Sequence, residues 1–306
     1  MKNIKENIIY HLFKCIYEIK PLYSAKLMYL WAFHKRLNID NPKDINEKIQ
    51  WLKFYSDTSS WVQLADKYAV REFIKAKGYG DTLVKLYKKW DNIDDISFDD
   101  LPNKFVLKVN NGTGDVVIVN NKECENVEKI KKHFREILTP RNAYILGEPH
   151  YLKIKPCIIA EELLDTTKQS IKSSSLIDYK IWCTNGKPMY ILTCHNRTIE
   201  NFSEKCLFDT KWHPLPDDLR YVKHSVKASS HIPRPIQLEE MLKMASNLSQ
   251  GIPVVRVDLY EVNGKIYFGE MTLTPAGGFN TSYSKSILLK MGEQVQLPYP
   301  VKKQKK

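Results

Sequence analysis

A chain of 306 residues has room for a large core, and 43% apolar with 27% charged residues is the balance of an ordinary globular protein. The 47 basic and 35 acidic residues leave a formal net charge of +12, which favours anionic partners without choosing among phosphates, acidic glycans, membrane surfaces and nucleic acid. No apolar run reaches bilayer length, and charges and a histidine interrupt Ile4–Tyr17, so neither a membrane span nor a signal peptide is expected. The six cysteines (15, 124, 157, 183, 194 and 206) show no C-x-x-C or zinc spacing. They read as structural thiols of a reduced, cytoplasmic protein.

Residues 1–77 read as helical, with Leu12, Ile16, Ile19, Leu27, Leu30 and Trp31 at helical spacing around Pro21. The lysine-rich amphipathic segment is expected to pack onto the body, a peripheral membrane contact being the alternative. Asp44-x-x-Glu47 resembles a capping box and starts a helix to about Tyr55. A further helix is expected from Ser60 to Lys77, stopped by Gly78; it carries Lys67 beside Asp66, with Arg71 four residues on. Period-two patterning then predicts strands at Leu83–Tyr87, Phe105–Val109 and Asp115–Asn120, and a helix at Asn126–Leu138. Strands follow at Cys157–Leu163, Asp178–Thr184 and Met189–Cys194, the last two joined at Asn185-Gly186. A polar loop spans Ser170–Ser175, and Gln237–Ser249 is a helix stopped by Gly251. The fold class expected is α+β, a helical N-terminal region followed by a mostly antiparallel body.

Four features carry chemistry. Lys67 is the first, although solvated helix charge is its default reading. The second is Phe105–Asp115, where Lys108 near a strand end precedes a glycine loop suited to close approach of a polyphosphate. It is not a Walker loop, because the lysine precedes the glycines. The third is Cys157–Leu164, where Glu161 and Glu162 point to opposite faces and one faces inward if both sides are covered.

The fourth is Val254–Thr272, a hairpin about Asn263-Gly264 with Asp258 on one strand and Glu270 on the other. Alternation puts Arg256, Asp258 and Tyr260 on one face, and Ile266, Phe268, Glu270 and Thr272 together on theirs. A two-residue loop would pair Asp258 with Gly269 and separate the acids. A three-residue loop (Val262-Asn263-Gly264) would bring them within roughly 7–8 Å as diagonal neighbours, close enough to share a hard cation. The metal reading therefore requires the odd-numbered loop.

The order of these features resembles the ATP-grasp superfamily. The stretches NPKDINEKIQWLKFY, LADKYAVREF, LPNKFVLKVNNGTGD, IIAEELL, DYKIWCTNGKP and VVRVDLYEVNGKIYFGEMTLTPAGG resemble its TupA-like branch, from about residue 20 to 290. The resemblance implies an ATP-grasp fold with antiparallel sheets and flanking helices. It divides the chain into a helical N-terminal region (1–58), a nucleotide-binding lobe (59–165) and a metal and acceptor lobe (166–306). It implies ATP and Mg²⁺ as cofactors. Lys67 and Lys108 would hold phosphates, with Asn111, Gly112, Thr113 and Gly114 as the closing loop. The adenine and ribose hinge would include Glu161, Glu162 and Leu163. Asp258 and Glu270 would hold Mg²⁺, with Thr272 where many members have Asn. Arg256 would stabilise an acyl-phosphate, and Lys180, Arg197 and the Gly277-Gly278 loop are further phosphate or acceptor candidates.

The implied reaction is carboxylate–amine ligation through an acyl-phosphate. The carboxylate would belong to a uronic-acid or glutamyl unit of a surface polysaccharide, as an acidic glycan or a nucleotide- or lipid-linked sugar precursor. The amine would come from an amino acid or amino sugar, with no nucleic-acid partner. A non-catalytic binder of an anionic polymer or nucleic acid, and a phosphoryl or glycosyl transferase, are the competing readings.

Overall fold

The computed structural model describes residues 2–112, 116–198, 202–220, 225–227 and 232–301, with the side chains of 2–6 and 225–227 left aside. The N-terminal region comprises α1 (Lys2–Ile19), α2 (Pro21–Phe33) and α3 (Ile45–Tyr55). Asp44 caps α3 by accepting from the Glu47 amide, and Glu47 accepts in turn from the Lys43 amide. The helix expected over 60–77 is broken into α4 (Trp61–Ala65) and α5 (Val70–Ala76). The break comes from Asp66, whose Oδ1 accepts from the amides of Tyr68 and Ala69 and restarts the helix. Lys67 therefore lies in a turn, not in a helix, and its amide donates to the Asn110 carbonyl.

The smaller sheet has the order β1-β4-β2-β3, with β1 (Leu86–Trp90), β2 (Phe105–Val109), β3 (Val116–Val119) and β4 (Ile158–Glu162). Its first strand starts three residues later than expected, because Leu83 pairs instead with Phe268 of the larger sheet. Phe105, Leu107, Ile158 and Ala160 face a core closed by Ile130 and Phe134 of α6 (Val127–Ile137). Alternation then turns Lys108, Ile159 and Glu161 to the opposite face. A short helix not expected from the sequence, α7 (Arg141–Leu146), links α6 to β4.

The larger sheet has the order β10-β9-β5-β6-β7-β8, antiparallel except for the last pair. Its strands are β5 (Asp178–Thr184), β6 (Lys187–His195), β7 (Ser203–Asp209), β8 (Ser225–Lys227), β9 (Val254–Val262) and β10 (Lys265–Thr272). One face is sealed by α8 (Leu238–Leu248), whose Leu238, Met241, Met244, Ala245 and Leu248 bury a stripe against Ile181, Val255 and Val257. Each of these leucines and methionines contributes about 1.5–3 kcal/mol of burial. The final helix, α9 (Lys285–Gln294), packs on α3. With one face closed, polar residues of β5, β9 and β10 are left facing a cleft.

The hairpin corrects the loop expectation. Val262 pairs with Lys265 across a two-residue turn in which Asn263 and Gly264 both have positive φ (54° and 68°). That turn alone would separate the two acids. The register shifts between Phe268 and Glu270, leaving Gly269 as a bulge, and beyond it Glu270 pairs with Asp258 and Thr272 with Arg256. Glu270 and Thr272 thus leave the face of Ile266 and Phe268 and join that of Asp258. The acids are direct cross-strand partners, which the unbulged alternation did not allow.

Candidate active site

The cleft holds about 710 Å³ and is lined from both sheets, from α5 and α7, and from the 3-10 turn Pro275–Gly278 after β10. Its lining includes seven basic side chains (Lys67, Arg71, Lys108, Lys180, Arg197, Lys205 and Arg256) and five acidic ones (Glu148, Glu161, Asp178, Asp258 and Glu270). The excess of positive charge suits an anion bound among paired carboxylates.

On the floor, Glu270, Asp258 and Lys180 form one row across β10, β9 and β5. Arg256 binds both oxygens of Asp258 at 2.6 and 2.7 Å, Glu270 at 3.2 Å and the Thr272 hydroxyl at 3.1 Å. Lys180 bonds Asp258 and stands 3.3 Å from Asp178, which Arg197 also binds. Lys67 reaches Glu270 at 3.4 Å and donates to the Gly112 carbonyl at 2.5 Å, tying Gly112 to the floor. Burial alone would raise the Glu270 carboxyl. Lys67, Lys180 and Arg256 outweigh it and hold the group well below the usual carboxylate range.

On the facing sheet Glu161 is 6% exposed and clamped by Lys108 at 2.8 Å and Arg71 at 3.1 Å. Of the adjacent acids, which alternation puts on opposite faces, packing turns Glu161 inward; Glu162 is exposed, Leu163 is half-buried, and neither lines the cleft. Asn111 is buried with its Oδ1 unpartnered, and Gly112 lines the adjoining 220 Å³ recess. Thr113 and Gly114 lie outside the described residues.

Sequence reasoning missed Glu148, which lines both the recess and the cleft. It accepts a hydrogen bond from Thr274 Oγ1, and that partner is 126 residues away in sequence. Beyond it lies Lys53, 3% exposed, donating to the carbonyls of Leu146 (2.6 Å) and Gly277 (2.9 Å). Burial pushes the Lys53 ammonium down to about 7, with Glu148 pulling partly back; burial likewise raises Glu148. The spacing of Arg71 from Lys67 gives it no role in the sequence, because its two contacts, Glu161 and the Val84 carbonyl, are long-range.

Lys53 gives a testable pH dependence. The unfolded chain keeps this lysine protonated to about 10.5, whereas the folded chain releases the proton near 7. Between those values the unfolded state holds more protons, so stability rises with pH. Lys53→Met takes the lysine donor from the Leu146 carbonyl, whereas the Gly277 carbonyl keeps Gln50 Nε2 at 3.0 Å, and should cost roughly 1–3 kcal/mol. The melting-temperature gap between wild type and variant should widen from pH 7 to 10. A gap that stays constant would refute a neutral Lys53 in the fold.

The profile of the TupA-like ATP-grasp family matches residues 47–296. The chain belongs to the TupA-like ATP-grasp family. It is therefore an ATP-grasp ligase that uses ATP and Mg²⁺ and joins a carboxylate to an amine. The non-catalytic binder is thereby set aside. No curated protein matches the chain. Among solved structures, D-alanine–D-alanine ligase from Bacillus anthracis is similar over 84% of this chain and 74% of its own, with 14% identity and a TM-score of 0.47. The Helicobacter pylori D-alanine–D-alanine ligase covers 82% and 69%, at 16% identity and a TM-score of 0.40. D-cycloserine synthetase DcsG covers 76% and 69%, at 13% identity and a TM-score of 0.43.

The floor of this TupA-like ATP-grasp ligase offers chemistry that fits Mg²⁺. Among the described residues no group of three or more His, Cys, Asp and Glu surrounds one metal position. The available donors are two opposed carboxylates and the Thr272 hydroxyl, 3.1 Å from Glu270 Oε1. Mg²⁺ is commonly held by one or two carboxylates with phosphate oxygens and water completing the shell.

Proposed function

We propose that this ligase joins an amine of an amino acid or amino sugar to a uronic-acid or glutamyl carboxylate of a bacterial surface polysaccharide. The carboxylate is carried by the acidic glycan itself or by its nucleotide- or lipid-linked precursor. The observation that carries the reading is the basic cleft, in which Lys180, Arg197 and Lys205 extend positive charge beyond the acid pair toward a polyanionic substrate. Family membership supports the same substrate class.

In this reading residues 59–165 form the nucleotide lobe, 166–306 the metal and acceptor lobe, and 1–58 a helical extension. Lys67 and Lys108 hold the ATP phosphates, with Asn111 and Gly112 beside them. Glu161 fixes the orientation of Lys108 and Arg71 and borders the nucleoside. Asp258 and Glu270, with Thr272, would hold Mg²⁺, whose charge lowers the repulsion between the phosphates and an incoming carboxylate. The substrate carboxylate attacks the γ-phosphorus, ADP leaves, and an acyl-phosphate forms. The amine nitrogen then attacks the acyl carbon, loses a proton and expels phosphate, giving the amide. Arg256, already fixed by Asp258 and Glu270, is placed to neutralise the oxyanion of that second step. Catalysis is positioning and charge neutralisation without a protein nucleophile. Consumption of ATP suits a cytoplasmic site of action.

The test is phosphate release from ATP in the presence of a uronic-acid oligosaccharide and a mixture of amino acids and amino sugars. Release requiring both components is expected, with a product heavier than the glycan by the amine less one water. Mass spectrometry of the surface polymer from cells with and without the enzyme should show loss of that amide-linked unit. An unchanged polymer, or turnover only on free small amino acids, would overturn the glycan assignment.

A further inference from the structure

We propose that α1 and α2 form a docking surface for an anionic lipid bilayer. Each helix has two apolar faces, and the body covers only one of them. On α1, Tyr10 and Tyr17 pack edge-on against Tyr144 of α7. On the other side Ile8, Leu12 and Ile19, spaced as one helical face, are 62%, 56% and 78% exposed. On α2, Ser24, Ala25 and Tyr29 are buried, whereas Leu27, Leu30 and Trp31 point outward, Trp31 being 72% exposed. Scattered single apolar residues are normal on a surface, but a continuous stripe on each of two successive helices marks an interaction site.

Charge selects the occupant. Residues 1–36 hold seven basic side chains and two acidic ones, so a second copy of this surface would meet like charge. The ammonium groups of Lys20 and Lys26 lie 5.2 and 5.7 Å from the Tyr23 ring, beside the apolar stripe. Lysines flanking exposed tryptophan, tyrosine and leucine are the pattern of a helix lying at a lipid interface, its aromatic rings at headgroup level and its lysines against anionic phosphate. Among the described residues no helix is long and apolar enough to cross a membrane, so this surface lies on the bilayer.

The full chain should co-sediment with phosphatidylcholine vesicles containing phosphatidylglycerol, far less with phosphatidylcholine alone, and less as salt rises. The double variant Leu12→Glu/Trp31→Glu should lose about tenfold or more in vesicle affinity. Lys20→Gln and Lys26→Gln should each cost about fivefold on anionic vesicles only. All of these positions are at least partly exposed, so melting temperatures should stay near wild type. Leu289→Glu, at an exposed leucine of α9, is the control that should leave binding intact. Absence of binding to anionic vesicles by the folded chain would overturn the proposal. So would binding that the double variant leaves unchanged, or a dimer in light scattering that the double variant dissolves while vesicle binding is absent.

Discussion

Asp258→Asn is expected to lower carboxylate- and amine-dependent phosphate release about a thousandfold or more while leaving the fold intact. Asp258 is 1% exposed and is the one floor carboxylate bonded to both Arg256 and Lys180. In the proposed mechanism, losing its charge removes a hard anionic donor for Mg²⁺ and unbalances the guanidinium that would face the oxyanion. Removing half of a buried ion pair usually destabilises strongly, by about 3–5 kcal/mol. Here the two cations have other anions: Lys180 stands 3.3 Å from Asp178, and Arg256 stands 3.2 Å from Glu270. The asparagine amide oxygen can still accept from Arg256, so the expected cost is about 2 kcal/mol or less. Circular dichroism and thermal melting report the fold, and ATP turnover reports the site. A variant that folds normally and retains turnover would remove Asp258 from the metal site. Glu270→Gln is a less clean probe, since Lys67 would lose its ion pair as well.

The pH behaviour of the same floor follows from Glu270. Its carboxyl is depressed in the folded state, so its ionisation stabilises the fold above the ordinary glutamate value. That contribution declines progressively as pH falls below the ordinary glutamate value and is gone below the lower folded value. Glu270 stays ionised through mildly acidic pH, and a loss of activity there must arise from another group.

The parts of the fold that were legible in the sequence are those set by local chemistry. Asp44 and Glu47 read as a helix start because capping is a contact over three residues, and the cap forms as expected. Asn263-Gly264 read as a hairpin because few other pairs accept two successive positive φ angles. Alternation on β4 required that one of Glu161 and Glu162 face inward, although only tertiary packing selects Glu161. What alternation could not carry was a register across a bulge. Counting from the turn assumes one residue opposite one, and Gly269 breaks that count. The signal was present, since a glycine inside a strand pattern often marks a bulge or a close backbone approach. The turn at Lys67 was hidden because apolar spacing continues through it, while the deciding interaction is Asp66 capping the next helix. Glu148 had no local signature at all. Its burial and its Thr274 partner depend on α7 meeting the turn after β10, a contact that exists only in the folded chain.

The bulge makes Gly269 the position on which the acid pair depends, and Gly269→Val should separate the carboxylates. A Cβ at this residue would lie 2.9 Å from the Asp258 carbonyl oxygen and 3.1 Å from the Tyr260 ring. The φ of Gly269 is not in the left-handed region, so the obstacle is space and not backbone preference. Two responses are open to the chain. The hairpin can keep its register with β10 pushed away from β9, at a cost of about 2–3 kcal/mol. Alternatively it can drop the bulge and continue in the register of its two-residue turn, which moves Glu270 and Thr272 to the opposite face. Either response displaces Glu270 from Asp258, and misplacement by about 1 Å is enough for a hundredfold loss of rate. Gly264→Ala separates this effect from simple loss of stability. Gly264 has φ +68° with open space around it, so alanine there strains the turn by about 1 kcal/mol without touching the register. The expected pattern is a modest fall in melting temperature with near-normal turnover for Gly264→Ala, against loss of both for Gly269→Val. Full turnover in Gly269→Val would show that the two carboxylates do not need to be cross-strand partners.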